Sequence, residues 1–291
     1  MAQLTCNFVS YSLKRGVDIC ITLPSLSSCD VGAEKKPCHI PMYKYPVLYL
    51  LHGYGNDYKS WYRYTSVERY AEEKRIAIVT LNADNKCYMN TVLGDNYYDF
   101  VAYELPEFVC GNFPISSDPK DTYIAGLSMG GYGALVHALS RPSAYHAAGA
   151  FSPGIDIGRK EDMIGADLDC INLYTELETC VKNNLKLPEL FLCCGQNDFL
   201  YDSVVNFHSK LTKNAIPHRW DDVPGFEHEW KFWDIELEEF LDWLPRTDFY
   251  AGMPAHKISR VVERTCLRKQ VLSDCRQSPA LLCGIFLCQM S

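Results

Sequence analysis

A chain of 291 residues and 33.1 kDa, 47% hydrophobic and 22% charged, has ordinary globular composition, which excludes a disordered tail, a collagen-like repeat and a coiled coil. A chain of this length buries roughly three quarters of its unfolded surface and needs no disulfide or metal staple. The net charge of -8 argues against nucleic acid or an anionic membrane as the main partner, because both select a basic face.

The 14 cysteines are the oddest count. None stands in a paired C-x-x-C arrangement with zinc spacing, so no metal site is expected. The opening MAQLTCNFVSYSLKRG lacks the basic start and apolar run of a signal peptide. The expectation is therefore a cytoplasmic protein whose cysteines stay reduced and serve as small apolar side chains. No run of 18 or more apolar residues is present, so no bilayer span is expected.

In chain order, two alternating segments, Leu4 to Ser10 and Val17 to Leu23, predict an antiparallel hairpin with Gly16 in its turn. A polar loop follows from Pro24 to Lys44. Short apolar runs then predict fully buried strands at Pro46 to Leu51, Ile76 to Leu81, Thr122 to Ala125, Ala147 to Phe151 and Leu190 to Cys194. A last strand begins at His218. In Cys193-Cys194 the neighbouring side chains of a strand point to opposite faces. Helical spacing marks Trp61 to Lys74, Tyr97 to Val109, Gly131 to Ser140, Tyr201 to Lys213 and Glu229 to Trp243. Strands alternating with helices predict an α/β protein with a mostly parallel sheet covered on both faces. The segment 153–187 breaks the rhythm and reads as a small cap insertion.

The domain is expected to span 1–245. Residues 246–291 carry 7 Lys+Arg against 3 Asp+Glu and four of the cysteines, whereas residues 1–245 carry 21 against 33. The end of the chain therefore reads as an atypical basic tail.

Gly126-Leu127-Ser128-Met129-Gly130 follows a predicted strand and precedes a helix of small residues. Gly-x-Ser-x-Gly alone is a weak signal. In a strand-to-helix context it is the pattern of a nucleophile elbow, where a Cβ on either glycine would strike neighbouring backbone. A serine hydroxyl needs a base to take its proton and an acid to orient that base, in the chain order serine, acid, histidine. Asp198, just past the strand ending at Gly195, and His228, in the loop before the last helix, meet that order. Asp202, Asp167 and Asp169 are the rival acids, and His218 is the rival base. A backbone cradle for the oxyanion is expected from the N–H of Met129 and from the loop Leu51-His52-Gly53-Tyr54, through the N–H of Tyr54 or Gly53. The loop after the strand ending at Leu81 should face the serine. Asn85, Tyr88 and Met89 there, with His52 and Trp230, are the expected substrate contacts, and Tyr54 adds a further aromatic wall.

Over Leu4 to Leu244 the chain resembles the esterase D-like serine esterases of the α/β-hydrolase superfamily, particularly the tributyrin esterase and cinnamoyl or feruloyl esterase branch. The matching pieces are Leu50-Leu-His-Gly53, Asp57-Tyr-Lys-Ser-Trp61, Tyr103-Glu-Leu-Pro106, Gly126-Leu-Ser-Met-Gly-Gly131, Gly195-Gln-Asn-Asp198 and His228-Glu-Trp-Lys-Phe-Trp233. The resemblance implies an α/β-hydrolase fold and cleavage of short acyl or aryl esters without metal or organic cofactor. It also implies Ser128 as nucleophile, His228 as base and Asp198 as acid. Rival readings are a thioesterase for S-formylglutathione, from which the His52-Gly53 form of the loop points away, an acyltransferase on the same triad, and a non-catalytic binding protein. The loop around Cys29 to Cys38 and the tail from Arg246 depart from the family pattern.

Overall fold

The computed structural model describes residues 1–26, 38–157 and 170–253. Among the described residues eight strands form one sheet: β1 (Ala2–Ser10), β2 (Arg15–Leu23), β3 (Val47–Leu51), β4 (Ala77–Leu81), β5 (Thr122–Leu127), β6 (Ala147–Phe151), β7 (Glu189–Gly195) and β8 (His218–Val223). They lie in the order β1-β2-β4-β3-β5-β6-β7-β8, antiparallel at β1-β2 and β2-β4 and parallel from β4 to β8. The helices are α1 (Ser60–Tyr64), α2 (Val67–Lys74), α3 (Tyr97–Asp99), α4 (Leu105–Asn112), α5 (Met129–Ser140), α6 (Leu173–Lys182), α7 (Tyr201–Lys213) and α8 (Trp230–Trp243). This is the α/β-hydrolase arrangement.

The pleat sorts side chains to two cores. Val47, Tyr49 and Leu51 join Phe100, Leu135, Leu177 and Phe207 on one face. Leu48 and Leu50 join Trp61, Tyr70, Phe232 and Phe240 on the other. Cys194 falls in the first core and Cys193 in the second, as the strand period requires. Burial on both faces explains why β3 and β4 read as unbroken apolar runs.

Three local expectations are corrected. Gly16 lies within β2, opposite Val9, and the reversal falls on Tyr11–Lys14, with Lys14 at φ 54°. There the Glu104 carboxylate accepts hydrogen bonds from the Ser10 hydroxyl (2.7 Å) and from the N–H groups of Tyr11 (2.7 Å) and Ser12 (2.9 Å), so the turn needs no glycine. The helix expected over Tyr97 to Val109 widens to π-helix at Phe100–Glu104. A carbonyl of that wide turn, on Ala102, accepts from Arg141. The stretch Trp61 to Lys74 divides into α1 and α2, because Thr65 leaves the helical region at φ -134°.

The compact unit runs from Met1 to Met253, past the change in texture at Arg246. Arg246 donates to the Lys74 carbonyl, and the Tyr250 hydroxyl donates to the Tyr43 carbonyl at 2.7 Å. Within the expected cap, α6 buries Leu173, Leu177 and Cys180 in the first core. Residues 158–169, with the rival acids Asp167 and Asp169, and residues 254–291 lie outside the described residues.

Candidate active site

Parallel pairing brings the C-terminal ends of β3, β5, β6 and β7 level, with Leu51 opposite Gly126, Leu127 opposite Phe151 and Phe151 opposite Cys193. The residue after each end is therefore delivered to one crevice, where ligands bind in open α/β sheets. Ser128 sits between β5 and α5 at φ 53°, ψ -115°, a sharp bend that costs on the order of 1–3 kcal/mol. It is held by its own N–H donating to the Phe151 carbonyl (2.9 Å), while its carbonyl accepts from Tyr132 and Gly154 (both 3.0 Å). The flanking glycines are obligatory. A Cβ on Gly126 would lie 2.5 Å from the Gly130 carbonyl, and one on Gly130 would lie 2.5 Å from the Leu51 carbonyl.

The Ser128 hydroxyl stands 3.0 Å from Nε2 of His228, whose Nδ1 is 2.8 Å from Oδ2 of Asp198. The Asp198 side chain is wholly buried and that of His228 is 19% exposed, so solvent reaches the imidazole but not the carboxylate behind it. Gly195 makes this approach possible, because a Cβ there would lie 2.4 Å from the Phe226 carbonyl. In its absence the turn carrying Asp198 and the loop carrying His228 close together, and the Asn197 N–H donates to that carbonyl at 3.0 Å. Burial works to raise the Asp198 pKa. Hydrogen bonds from His228, from the Leu200 N–H (2.9 Å) and from the Ser152 hydroxyl outweigh it and hold the carboxyl below its usual range.

Ser152 was not foreseen from the sequence. It follows β6 at φ 43° and is fully buried. Its hydroxyl accepts from the Trp233 indole N–H at 3.2 Å while serving Asp198. The only sequence signal is its place one residue past a strand end. His228 lies between two rings, Trp233 edge-on at 4.8 Å and Phe199 at 4.6 Å, and Phe199 is 77% exposed. The rival base His218 is engaged elsewhere, and His137 on α5 is sealed in the core. His218 bonds His208 at 2.7 Å, and His137 is wholly buried, its pKa pushed down to about 3 by that burial. Asp202 lies in the first turn of α7.

Gly53 lies against Ser128, where a Cβ would come 3.5 Å from the Ser128 Cβ. Among the described residues, no acceptor pairs with the N–H of Tyr54 or of Met129. The latter opens α5, whose first N–H groups have no intrahelical partner and whose positive dipole end favours an anion.

The expected pocket contacts are corrected at three positions. His52 is buried, with Nδ1 donating to the Gly53 carbonyl (2.7 Å) and Nε2 accepting from the Ala83 N–H (3.1 Å). This pairing sets the neutral tautomer, and burial lowers the His52 pKa in agreement. Tyr88 and Met89 are buried too, because the loop after β4 packs these side chains into the first core. Asn85 is half-buried, and its side-chain oxygen accepts from the Gly55 N–H at 2.7 Å. Trp230 is half-buried in a cluster with Tyr64 (4.9 Å), Trp61 and Trp233 (both 5.3 Å), while Tyr54 is 66% exposed.

The family model "Putative esterase" matches residues 35–244. The chain belongs to this esterase family. It is a serine hydrolase of carboxylic ester bonds. An acetyl esterase of Caldicellulosiruptor saccharolyticus is 26% identical over 84% of this chain and 99% of its own length. A mouse (Mus musculus) S-formylglutathione hydrolase is 46% identical over 148 residues, 46% of this chain and 51% of that protein. Among solved structures, the fluorophosphonate-binding serine hydrolase FphF of Staphylococcus aureus superimposes with a TM-score of 0.73 at 28% identity, covering 84% of this chain and 98% of that one. Among the described residues, no helix of this esterase is long and apolar enough to cross a membrane.

Proposed function

We propose that this esterase hydrolyses short-chain acyl and small aryl esters, with Ser128 as nucleophile, His228 as general base and Asp198 as the acid that orients it. The observation that carries this reading is the unbroken chain of hydrogen bonds from Ser128 Oγ through both His228 nitrogens to Asp198, at 3.0 and 2.8 Å. As Oγ attacks the ester carbonyl, His228 Nε2 takes its proton, and the oxyanion that forms is met by the N–H groups of Met129 and Tyr54. Nε2 then returns the proton to the departing alcohol, leaving an acyl group on Ser128. Water enters, gives its proton to Nε2 and repeats the addition, and the carboxylic acid leaves. Throughout, Asp198 stays ionised, its lowered pKa matching its task of stabilising the imidazolium. The exposed rings of Tyr54 and Phe199 and the half-buried Trp230 supply apolar walls around the small acyl group.

The substrate class is supported by the acetyl esterase that aligns along 99% of its length. A second reading, hydrolysis of the thioester S-formylglutathione, is favoured by the 46% identity over 148 residues to the mouse enzyme. The buried His52 carries no weight against it, since its ring nitrogens are both engaged within the protein. A cytoplasmic location is supported by Cys20, Cys87, Cys193 and Cys194, all buried as small apolar side chains. The test is a panel of p-nitrophenyl acetate, p-nitrophenyl butyrate, methyl ferulate and S-formylglutathione. The proposal expects the highest kcat/KM on acetate or butyrate, and a preference of tenfold or more for S-formylglutathione would replace it with the second reading.

A further inference from the structure

Between β4 and α3 the backbone does something unusual. Asp84, Asn85, Cys87 and Tyr88 stand at φ 44°, 58°, 53° and 61°, the left-handed region that only glycine, and at times Asn or Asp, visits readily. Cys87 and Tyr88 have no such licence, so the surrounding structure must impose the conformation. Burial does so: Ala83, Cys87 and Tyr88 are fully enclosed. The Tyr88 ring also lies where a Cβ on Gly133 of α5 would come within 2.6 Å. Strain of this kind collects at functional sites, and here the loop makes three bonds to one short neighbour. The Ala83 N–H donates to His52 Nε2 (3.1 Å), the Tyr88 hydroxyl donates to the His52 carbonyl (2.8 Å), and the Asn85 side-chain oxygen accepts from the Gly55 N–H (2.7 Å).

Peptide units are planar, so a bond to either end of one fixes both of its polar groups. Tyr88 fixes the unit joining His52 to Gly53 through its carbonyl. Asn85 fixes the unit joining Tyr54 to Gly55 through its N–H, and the Asn56 side chain holds the same unit through the Tyr54 carbonyl at 3.1 Å. The unit between them, Gly53 to Tyr54, has its carbonyl taken by His52 Nδ1 (2.7 Å) and the Asn56 N–H (3.2 Å). Its N–H points the opposite way from that carbonyl and is left over. We propose that the strained 83–88 loop is a brace that aims the Tyr54 N–H at the oxyanion, with Asn85 and Tyr88 as positioning residues that touch no substrate. This rests on the reading of Ser128 as nucleophile and of Tyr54 as oxyanion donor. Asn85 thereby acts through the oxyanion loop and not as a wall of the pocket.

The test uses Asn85→Ala and Tyr88→Phe, with steady-state kinetics on p-nitrophenyl butyrate and the inhibition constant of an aryl trifluoromethyl ketone. Ser128 Oγ adds to that ketone, its proton passing to His228, and the resulting hemiketal oxyanion occupies the same cradle. Removing one oxyanion donor outright costs roughly 10²–10³ in rate. A donor left in place but loosened is expected to cost about tenfold to a hundredfold in kcat with KM within about twofold, and affinity for the ketone should fall by the same factor, as for any transition-state mimic. Folded variants with unchanged kcat, or with a raised KM alone, overturn the proposal and return Asn85 to the pocket wall. Tyr88→Phe removes a single oxygen atom, so it decides the matter should Asn85→Ala fail to fold. A wild-type protein that forms no ketone adduct removes the Ser128 reading and this proposal with it. A normal wild-type adduct with insensitive variants removes the brace alone.

Discussion

Glu236 lies on α8, the helix that starts two residues after His228, and is only 3% exposed. Its Oε2 has no hydrogen-bond partner among the described residues. Burial is the largest influence on its carboxyl, and the charge of Asp221 adds to it. The bond with the Cys193 thiol and the Arg219 charge oppose both, and the balance raises its pKa from 4.5 to about 7. Between those two values the folded protein keeps a proton that the unfolded chain has lost. Stability therefore falls as pH rises through this window, by about 1.4 kcal/mol per pH unit. The loss sums to about 3 kcal/mol, complete above pH 7 and absent below pH 4.5. Glu236→Gln cannot ionise and escapes the loss. Its stability relative to wild type, measured by urea unfolding at a series of pH values, is expected to climb by about 3 kcal/mol between pH 4.5 and pH 8, equivalent to roughly 5–10 °C in Tm. A difference between the two proteins that does not change with pH would refute the reasoning, since lost packing alone would act equally at every pH.

Two further substitutions probe the scaffold of the site. Ser152→Ala strands the Trp233 indole N–H and takes a hydrogen bond from Asp198. It is expected to cost about 1–3 kcal/mol in stability and roughly tenfold in kcat/KM. Because Asp198 stabilises the fold only while ionised, that contribution is lost as pH falls through its lowered pKa. The variant's acid unfolding midpoint should accordingly move to higher pH, and an unmoved midpoint would count against the Ser152 bond. Gly130→Ala drives a methyl group to 2.5 Å from the Leu51 carbonyl and 2.7 Å from that of His52. The backbone at the end of β3 cannot yield, so a loss of about 3 kcal/mol and of nearly all activity is expected, to be read from thermal melts and ester hydrolysis.

The features legible in the sequence were those whose residue type is forced by geometry. Fully buried strands demand unbroken apolar runs, and the elbow demands glycine at 126 and 130. Asp198 and His228 were recognisable by their places beyond strand ends, which topology converts into proximity. What stayed hidden depends on orientation. Nothing in the letters shows that the His52 ring turns inward to bond Ala83, or that Tyr88 adopts a left-handed backbone and points its hydroxyl at the His52 carbonyl. Gly16 looked like a turn residue, yet Glu104, distant in sequence, caps the reversal instead. Ser152 was invisible for the same reason, because its two partners, Trp233 and Asp198, come from other elements.

The central claim, that Ser128 is acylated through His228 and Asp198, is tested most directly by intact-protein and peptide mass spectrometry after treatment with a fluorophosphonate. A single adduct mapping to Ser128 is predicted, absent in Ser128→Ala and formed at least a hundredfold more slowly in His228→Ala. An adduct on any other residue, or undiminished ester hydrolysis by Ser128→Ala, would contradict the account.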